Sequence, residues 1–155
     1  MSDSHGASAQ VEKIINANKE ADMFIHLGDG ETEIQSIRLK YPDIDFRSVR
    51  GNCDFGMDSP LFLIVEAEDH RIFCSHGHRY NVKNGTEILC TIAMENACDA
   101  AVFGHTHERY ISCDYGVDVM NPGSCRFPRD GERPSYGYID INENGLFMNI
   151  IDVGF

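Results

Sequence analysis

The sequence has little that would tie it to a membrane or to nucleic acid. No apolar run approaches the roughly 18–20 residues of a membrane span, so no membrane partner is expected. The stretch from Met1 to His5 has neither a basic region nor an apolar core, which predicts no signal peptide and a cytoplasmic location. Only 13 Lys and Arg stand against 25 Asp and Glu, for a net charge of −12. Without a basic tract, a stable nucleic-acid partner is not expected.

Cysteine spacing excludes two further classes of protein. The six cysteines show no Cys-x-x-Cys pair, so neither a zinc-cysteine site nor a disulfide framework is favoured. Most are expected to be reduced thiols packed as small apolar side chains. Cys53 differs because it lies within a cluster of polar residues. The length of 155 residues predicts a single domain over residues 1–155.

Metal-binding side chains are what the sequence does contain, in five short clusters. The candidate ligands are two carboxylates, one amide and four imidazoles: Asp3, His5, Asp29, Asn52, His76, His105 and His107. Such a mixture suits two adjacent divalent cations that share a carboxylate, an arrangement that cleaves phosphate esters. Asp29 is the candidate bridge. Imidazole ligands favour manganese, zinc, iron or nickel.

The clusters follow short apolar runs. Four such runs lie at residues 23–27, 44–49, 71–74 and 100–103. Runs of this length near a glycine are typical of strands in a core sheet. Because ligands of an open α/β sheet gather beyond the carboxyl ends of its strands, we expect these clusters to meet in one place.

Helical periodicity lies between the apolar runs. It predicts three helices, at residues 7–15, 31–39 and 86–97. After residue 107 the pattern changes to two β-hairpins, at residues 109–120 and 136–153. Helices early and hairpins late predict an α/β fold of two mixed sheets flanked by helices.

The first core strand is expected to be truncated. Asp3 should also follow a parallel strand, yet only two residues precede it. A parallel core strand is buried on both faces, so its loss is costly. Either the sequence begins inside the strand, or the fold tolerates a gap there.

The clusters, taken in order, carry a family resemblance. The string Asp-x-His, Gly-Asp, Gly-Asn, His-Gly-His, Gly-His-x-His resembles the calcineurin-like metallophosphoesterase superfamily, especially its small bacterial and archaeal phosphodiesterase branch. The similarity spans residues 2–129, and the loop from Asn121 to Ser124 also resembles that branch. The resemblance implies a four-layer α/β/β/α sandwich with the metals at the top of the central sheets.

The resemblance also implies a ligand set and a reaction. One metal would be held by Asp3, His5, Asp29 and His107, and the other by Asp29, Asn52, His76 and His105. Manganese is the usual activating ion of the branch, with nickel, zinc or iron also accepted. The implied reaction is direct attack of a metal-bridging hydroxide on the phosphorus of a small phosphodiester. By analogy with small relatives, the protein is also a candidate homo-oligomer.

Three more residues stand beside the ligands. Many superfamily members have a histidine after the Gly-Asn pair, thought to protonate the leaving group; here the position is Cys53, a poorer acid for that role. His78 is expected to contact substrate phosphate or to support a ligand. Asp54 either orients Asn52 or caps a loop. Together with Asp29 and Asn52, His78 and Asp54 complete the predicted catalytic set.

We interpret the sequence as a dimetal-dependent phosphoesterase, more specifically a phosphodiesterase. The alternative is a non-catalytic interaction scaffold, because a subunit of the retromer coat has the same fold with degraded ligands. All seven ligand positions are intact here, which favours catalysis. A nuclease of the same superfamily is disfavoured by the acidic balance.

Overall fold

Three helices and nine strands form a mixed α/β fold in the computed structural model, which describes residues 1–154. In chain order the elements are α1 (Ser8–Ala17), β1 (Phe24–His26), α2 (Glu31–Lys40), β2 (Phe46–Ser48), β3 (Phe62–Ala67), β4 (His70–Ser75), α3 (Glu87–Glu95), β5 (Ala100–Val102), β6 (Arg109–Asp114), β7 (Val117–Pro122), β8 (Ser135–Asn142) and β9 (Gly145–Asp152). Within residues 1–154, no helix is both long and apolar enough to cross a bilayer.

The strands form three hydrogen-bonded sets. β1 and β2 pair in parallel, and β8 and β9 form an antiparallel hairpin. The remaining strands form a mixed sheet in the order β3-β4-β5-β7-β6, with parallel pairing at its centre and antiparallel strands at both edges. The predicted α/β fold class is confirmed, because helices flank a mixed sheet. The number of layers stays a prediction.

Apolar side chains explain how the elements stack. One cluster joins α1 and α2 to β1 and β2, through Val11, Ile14, Ile34, Ile37, Phe24 and Phe46. A second joins α3 to the five-stranded sheet, through Leu89, Ala93, Phe73, Ala101 and Val119. A third connects the sheets to one another, through Leu27, Val65, Ile72, Val102 and Met120. Each fully buried large aliphatic side chain contributes about 1.5–3 kcal/mol.

Strand β3 was not predicted from the sequence. Its side chains are mostly exposed or half-buried, and only Val65 of Phe62–Ala67 is buried. This is the pattern of an edge strand, whose composition gives a weak periodic signal. β3 is fixed instead by antiparallel pairing with β4, in which Ala67 faces His70.

The first residues of the chain lie beside β1. The Met1 amino group donates to the Ile25 carbonyl at 3.0 Å, and the Leu27 N–H donates to the Met1 carbonyl at 2.9 Å. On the other side, the Cys125 N–H donates to the Ser2 carbonyl at 3.1 Å. A cavity of about 430 Å³ lies beside Met1 and is lined in part by residues of β1 and β8. The short stretch that carries the first ligand cluster is therefore anchored on both sides.

Candidate metal centre

The structure brings all five ligand clusters to one end of the sheets. The segment before α1 supplies Asp3 and His5, the loop after β1 supplies Asp29, and the loop after β2 supplies Asn52. His76 follows β4, and His105 and His107 follow β5. Three overlapping groups of acidic, imidazole and thiol side chains have ligand atoms within 4.8 Å of one another: Asp3, His5 and His107; His5, Asp29 and Cys53; and Asp3, Asp29 and His76.

The first half of the centre consists of Asp3, His5 and His107. The Nδ1 atom of His107 donates to the Phe127 carbonyl at 2.7 Å, which turns its Nε2 atom toward Asp3 Oδ1 at 3.2 Å. The same Nε2 lies 3.3 Å from Nε2 of His5. Asp3 Oδ2 accepts from the Ser2 hydroxyl at 2.6 Å, but Asp3 Oδ1 is buried without a hydrogen-bond partner. A cation placed among these atoms would satisfy them all.

The pKa shifts of His107 and Asp3 support a cation site in the first half of the centre. The pKa of His107 is raised, first by its contact with Asp3. Burial alone would raise the pKa of Asp3, but His107 and its other partners outweigh burial and lower it. The site thus holds a negative carboxylate facing imidazoles, and a proton or a metal ion must lie between them.

The second half consists of His76, Asn52 and Asp29. Nδ1 of His76 donates to the Leu27 carbonyl at 2.7 Å, so Nε2 is the atom that faces the site. That Nε2 lies 3.1 Å from Asn52 Oδ1 and 3.4 Å from Asp29 Oδ2. A backbone carbonyl that holds the far nitrogen of a histidine is the usual way in which a metal-binding tautomer is fixed.

Asp29 connects the two halves. Its Oδ2 atom lies 3.4 Å from His76 Nε2 and 4.0 Å from His5 Nε2, and its Oδ1 atom accepts the Cys53 N–H at 2.7 Å. Burial would raise the pKa of Asp29, but the contacts with His76 and Cys53 outweigh it and lower the pKa. The carboxylate therefore stays ionised between two imidazoles, where a bridging ligand would have to lie.

His105 and His78 border the second half. The His105 ring centroid lies 5.1 Å from that of His76, and its pKa falls to about 4 because of burial and then the charge of His76. The His78 ring lies 5.4 Å from His76, and its buried Nδ1 has no hydrogen-bond partner. Burial and His76 also lower the pKa of His78. The lowered pKa values favour the neutral form of both rings, which is the form that binds a metal ion.

Asp54 supports the loop that carries Asp29. Its Oδ2 atom accepts the N–H groups of Asp29 and Gly51 at 2.8 and 2.7 Å, and its Oδ1 atom accepts those of Gly30 and Glu31, each at 2.9 Å. Glu31 is the first residue of α2, where a carboxylate also favours the positive end of the helix. Of the two readings that the sequence left open, the contacts favour the loop cap.

The backbone at the ligands is strained. Five of the seven candidate ligands have positive φ, at Asp3 (54°), His5 (42°), Asp29 (57°), His105 (69°) and His107 (63°). Non-glycine residues in this region cost about 1–3 kcal/mol each and cluster at functional sites. Close packing adds a further constraint, because a Cβ at Gly51 would lie 2.1 Å from Asp29 Oδ1.

A buried polar network underlies the first cluster, and the sequence analysis did not find it. The Ser4 hydroxyl donates to Glu33 at 2.5 Å and lies 2.9 Å from His26 Nε2, and Glu33 also accepts the Gly6 N–H at 2.6 Å. His26 is fully buried, and burial lowers its pKa to about 3. His26 is thus a packed, hydrogen-bonded residue. No spacing in the sequence links these partners, which are 22 and 29 residues from Ser4.

The centre opens to solvent on the side of Asn52 and Cys53, which are exposed, while most other ligands are buried. Burial and the nearby Asp29 raise the pKa of the Cys53 thiol to about 11. Basic side chains lie close enough to lower the pKa of the site histidines, namely Arg50, Arg79, Lys83 and Arg129. In an acidic protein, basic groups at the open site favour an anionic ligand. Arg109, unlike these basic groups, forms an ion pair in which its Nη2 atom lies 2.6 Å from Oδ1 of Asp152.

The sequence is similar to those of known phosphoesterases. The family model described as the calcineurin-like phosphoesterase superfamily domain matches residues 1–144. The probable metallophosphoesterase YsnB of Bacillus subtilis is 30% identical over 98% of this chain and 88% of its own length. The phosphodiesterase YfcE of Escherichia coli is 33% identical over 60% of this chain and 51% of its own length.

Solved structures show the same fold. A conserved protein of Streptococcus pneumoniae, described as a predicted phosphoesterase, superposes with a TM-score of 0.85 at 27% identity, over 98% of this chain and 86% of its own. Vps29 of Chaetomium thermophilum superposes with a TM-score of 0.65 at 20% identity, over 84% and 80%.

Proposed function

This chain belongs to the calcineurin-like phosphoesterase superfamily, and we propose that it is a phosphodiesterase that uses two divalent metal ions. The family and the curated relatives support a metal-dependent phosphoesterase as the general function. The specific reaction, the two-metal centre and the residue roles are our proposal.

One observation carries the proposal. Asp3 Oδ1 is buried without a hydrogen-bond partner, while His107 Nε2 lies 3.2 Å from it and His5 Nε2 lies 3.9 Å from it. A buried, unpaired carboxylate oxygen is costly unless a positive group satisfies it. His76 and His107 are oriented by backbone carbonyls so that their Nε2 atoms point inward. Carboxylate and imidazole donors in this arrangement fit a transition-metal ion.

The roles are those that the family resemblance implies, and the contacts support them. Asp3, His5, Asp29 and His107 would hold one ion, and Asp29, Asn52, His76 and His105 would hold the other. Two such ions would supply a nucleophile from water near neutral pH and neutralise charge on the phosphoryl oxygens. His78, with a free Nδ1 beside His76, would donate to a phosphate oxygen. Asp54 is a positioning residue, because both of its oxygens already accept backbone N–H groups.

The substrate in this proposal is a small phosphodiester and not a nucleic acid duplex. The basic groups are isolated around the open site, and the chain carries a net charge of −12. Manganese is the proposed activating ion, with nickel, zinc or iron as alternatives, and the cytoplasm is the proposed location. The relative YfcE is itself named a phosphodiesterase, which supports a diester over a monoester.

Hydrolysis of bis-p-nitrophenyl phosphate by chelator-stripped protein tests the proposal. We expect turnover only after manganese is added, and faster turnover of the diester than of p-nitrophenyl phosphate. His76→Ala should abolish this turnover, while His70→Ala, which changes a half-buried histidine of β4 away from the ligand clusters, should retain it. Absence of metal-dependent turnover in folded protein would refute a catalytic role.

The second candidate function is a protein-interaction scaffold. Vps29 shares the fold at 20% identity, so the likeness extends to the fold alone. We favour the enzyme because the buried Asp3 Oδ1 and the inward Nε2 atoms belong to an intact set of metal-binding side chains. A folded protein that neither binds manganese nor hydrolyses the diester would favour the scaffold.

A further inference from the structure

A thiol lies at the edge of the centre, at a position that the ligand set above does not use. Cys53 Sγ has a ring nitrogen of His5 and a carboxylate oxygen of Asp29 within 4.8 Å. The Cys53 backbone N–H donates to Asp29 Oδ1 at 2.7 Å, and the Asn52 amide donates to Cys53 Sγ at 3.2 Å. Both the backbone N–H and the sulfur atom of Cys53 are therefore hydrogen-bonded to side chains of candidate ligands.

The atoms around this thiol point to a cation independently of the cysteine. Asp3 Oδ1, which is buried without a hydrogen-bond partner, lies 3.9 Å from Nε2 of His5, whose ring also belongs to the thiol group. Asp29 Oδ2 lies 4.0 Å from that Nε2. Two carboxylates and a thiol therefore lie around the His5 ring, and a positive ion held at that ring would face electron-rich atoms from both groups.

We propose that Cys53 is an additional ligand of the metal site formed by Asp3, His5, Asp29 and His107. The inference rests on the proposed function. On binding, the S–H bond breaks, the sulfur forms a bond to the metal, and the proton goes to solvent, so that no oxidant or reductant is needed. Because thiolate is a soft ligand, this site selects zinc, iron or cobalt over manganese, whereas the His76 site has no sulfur ligand. The two positions of the centre therefore prefer different ions.

Cobalt(II) loading of the full chain tests the proposal by a readout other than activity. A sulfur–cobalt bond gives a near-ultraviolet charge-transfer band, which imidazole and carboxylate ligands do not give. We expect the band in the wild-type protein and its loss in Cys53→Ser, with the visible cobalt bands retained. Cys113→Ser changes another exposed cysteine, on β6, and should keep the near-ultraviolet band.

Competition with metal-sensitive dyes gives the matching affinities. In Cys53→Ser, zinc binding should weaken by about tenfold or more, while manganese binding changes little. Bound cobalt without the charge-transfer band, or a band that survives in Cys53→Ser, would overturn the thiol ligand. Either result would leave the phosphodiesterase intact if the cobalt or manganese form still hydrolyses the diester. Failure to bind cobalt at all would overturn both proposals.

Discussion

Replacing Asp54 by Asn should damage the centre without touching a candidate ligand. The carboxylate accepts four backbone N–H groups, two on each oxygen, at 2.7–2.9 Å. An amide can offer one oxygen, so its NH₂ group would have to face two of these donors. A buried donor left unpaired costs about 1–3 kcal/mol, so two of them cost about 2–6 kcal/mol. The loops that carry Asp29 and Gly51 would also lose their common anchor.

Urea unfolding of the metal-free protein measures the first effect, and metal titration measures the second. We expect Asp54→Asn to lower the free energy of unfolding by about 2–6 kcal/mol and to weaken metal binding by about 10–100-fold. Asp58→Asn removes the same charge from an exposed position four residues away and should change neither quantity. An Asp54→Asn variant with wild-type stability and wild-type metal affinity would refute the positioning role.

Three further predictions concern the same end of the molecule. Asp29→Asn should reduce bound metal from two ions toward none, as measured by elemental analysis, and should abolish turnover in the diester assay. Two retained ions would contradict the bridging role. Gly51→Ala should displace Asp29, because the new Cβ would lie 2.1 Å from its Oδ1; we expect metal binding weaker by about tenfold or more, with Gly154→Ala as the unstrained control. His26 should destabilise the protein in acid, because burial lowers its pKa from 6.5 to about 3. The unfolded chain then binds the extra proton, and stability falls as pH drops through that window, by about 5 kcal/mol in total. Thermal melts of His26→Gln across this range should have a flatter pH dependence than those of wild type.

The elements and the meeting of the candidate ligand clusters were the predictable part of this protein. Apolar periodicity gave the three helices and eight of the nine strands, because these elements bury one face and the pattern records burial. The order of the clusters, together with the rule that ligands gather at strand ends, predicted which side chains would lie together. The missed strand β3 is held by its pairing with β4, which its own composition does not record.

The supporting contacts were beyond the sequence. The two N–H groups that Asp54 Oδ1 accepts come from residues 30 and 31, and Ser4 meets Glu33 across 29 positions. Such contacts depend on how loops that are distant in sequence pack together, and no periodic pattern in the sequence predicts them. The thiol of Cys53 could be noticed as unusual in the motif, but its closeness to His5 required coordinates.

The ligand positions run from residue 3 to residue 107, and this span has a consequence for how the protein assembles. Asp3 and His107 face each other only when segments about 100 residues apart have met, which is the slow kind of contact in folding. The strands between them, including β4 and β5 of the central sheet, must already be in register. Ion capture is therefore a late event, and a metal-sensitive signal during refolding would time the completion of the native topology.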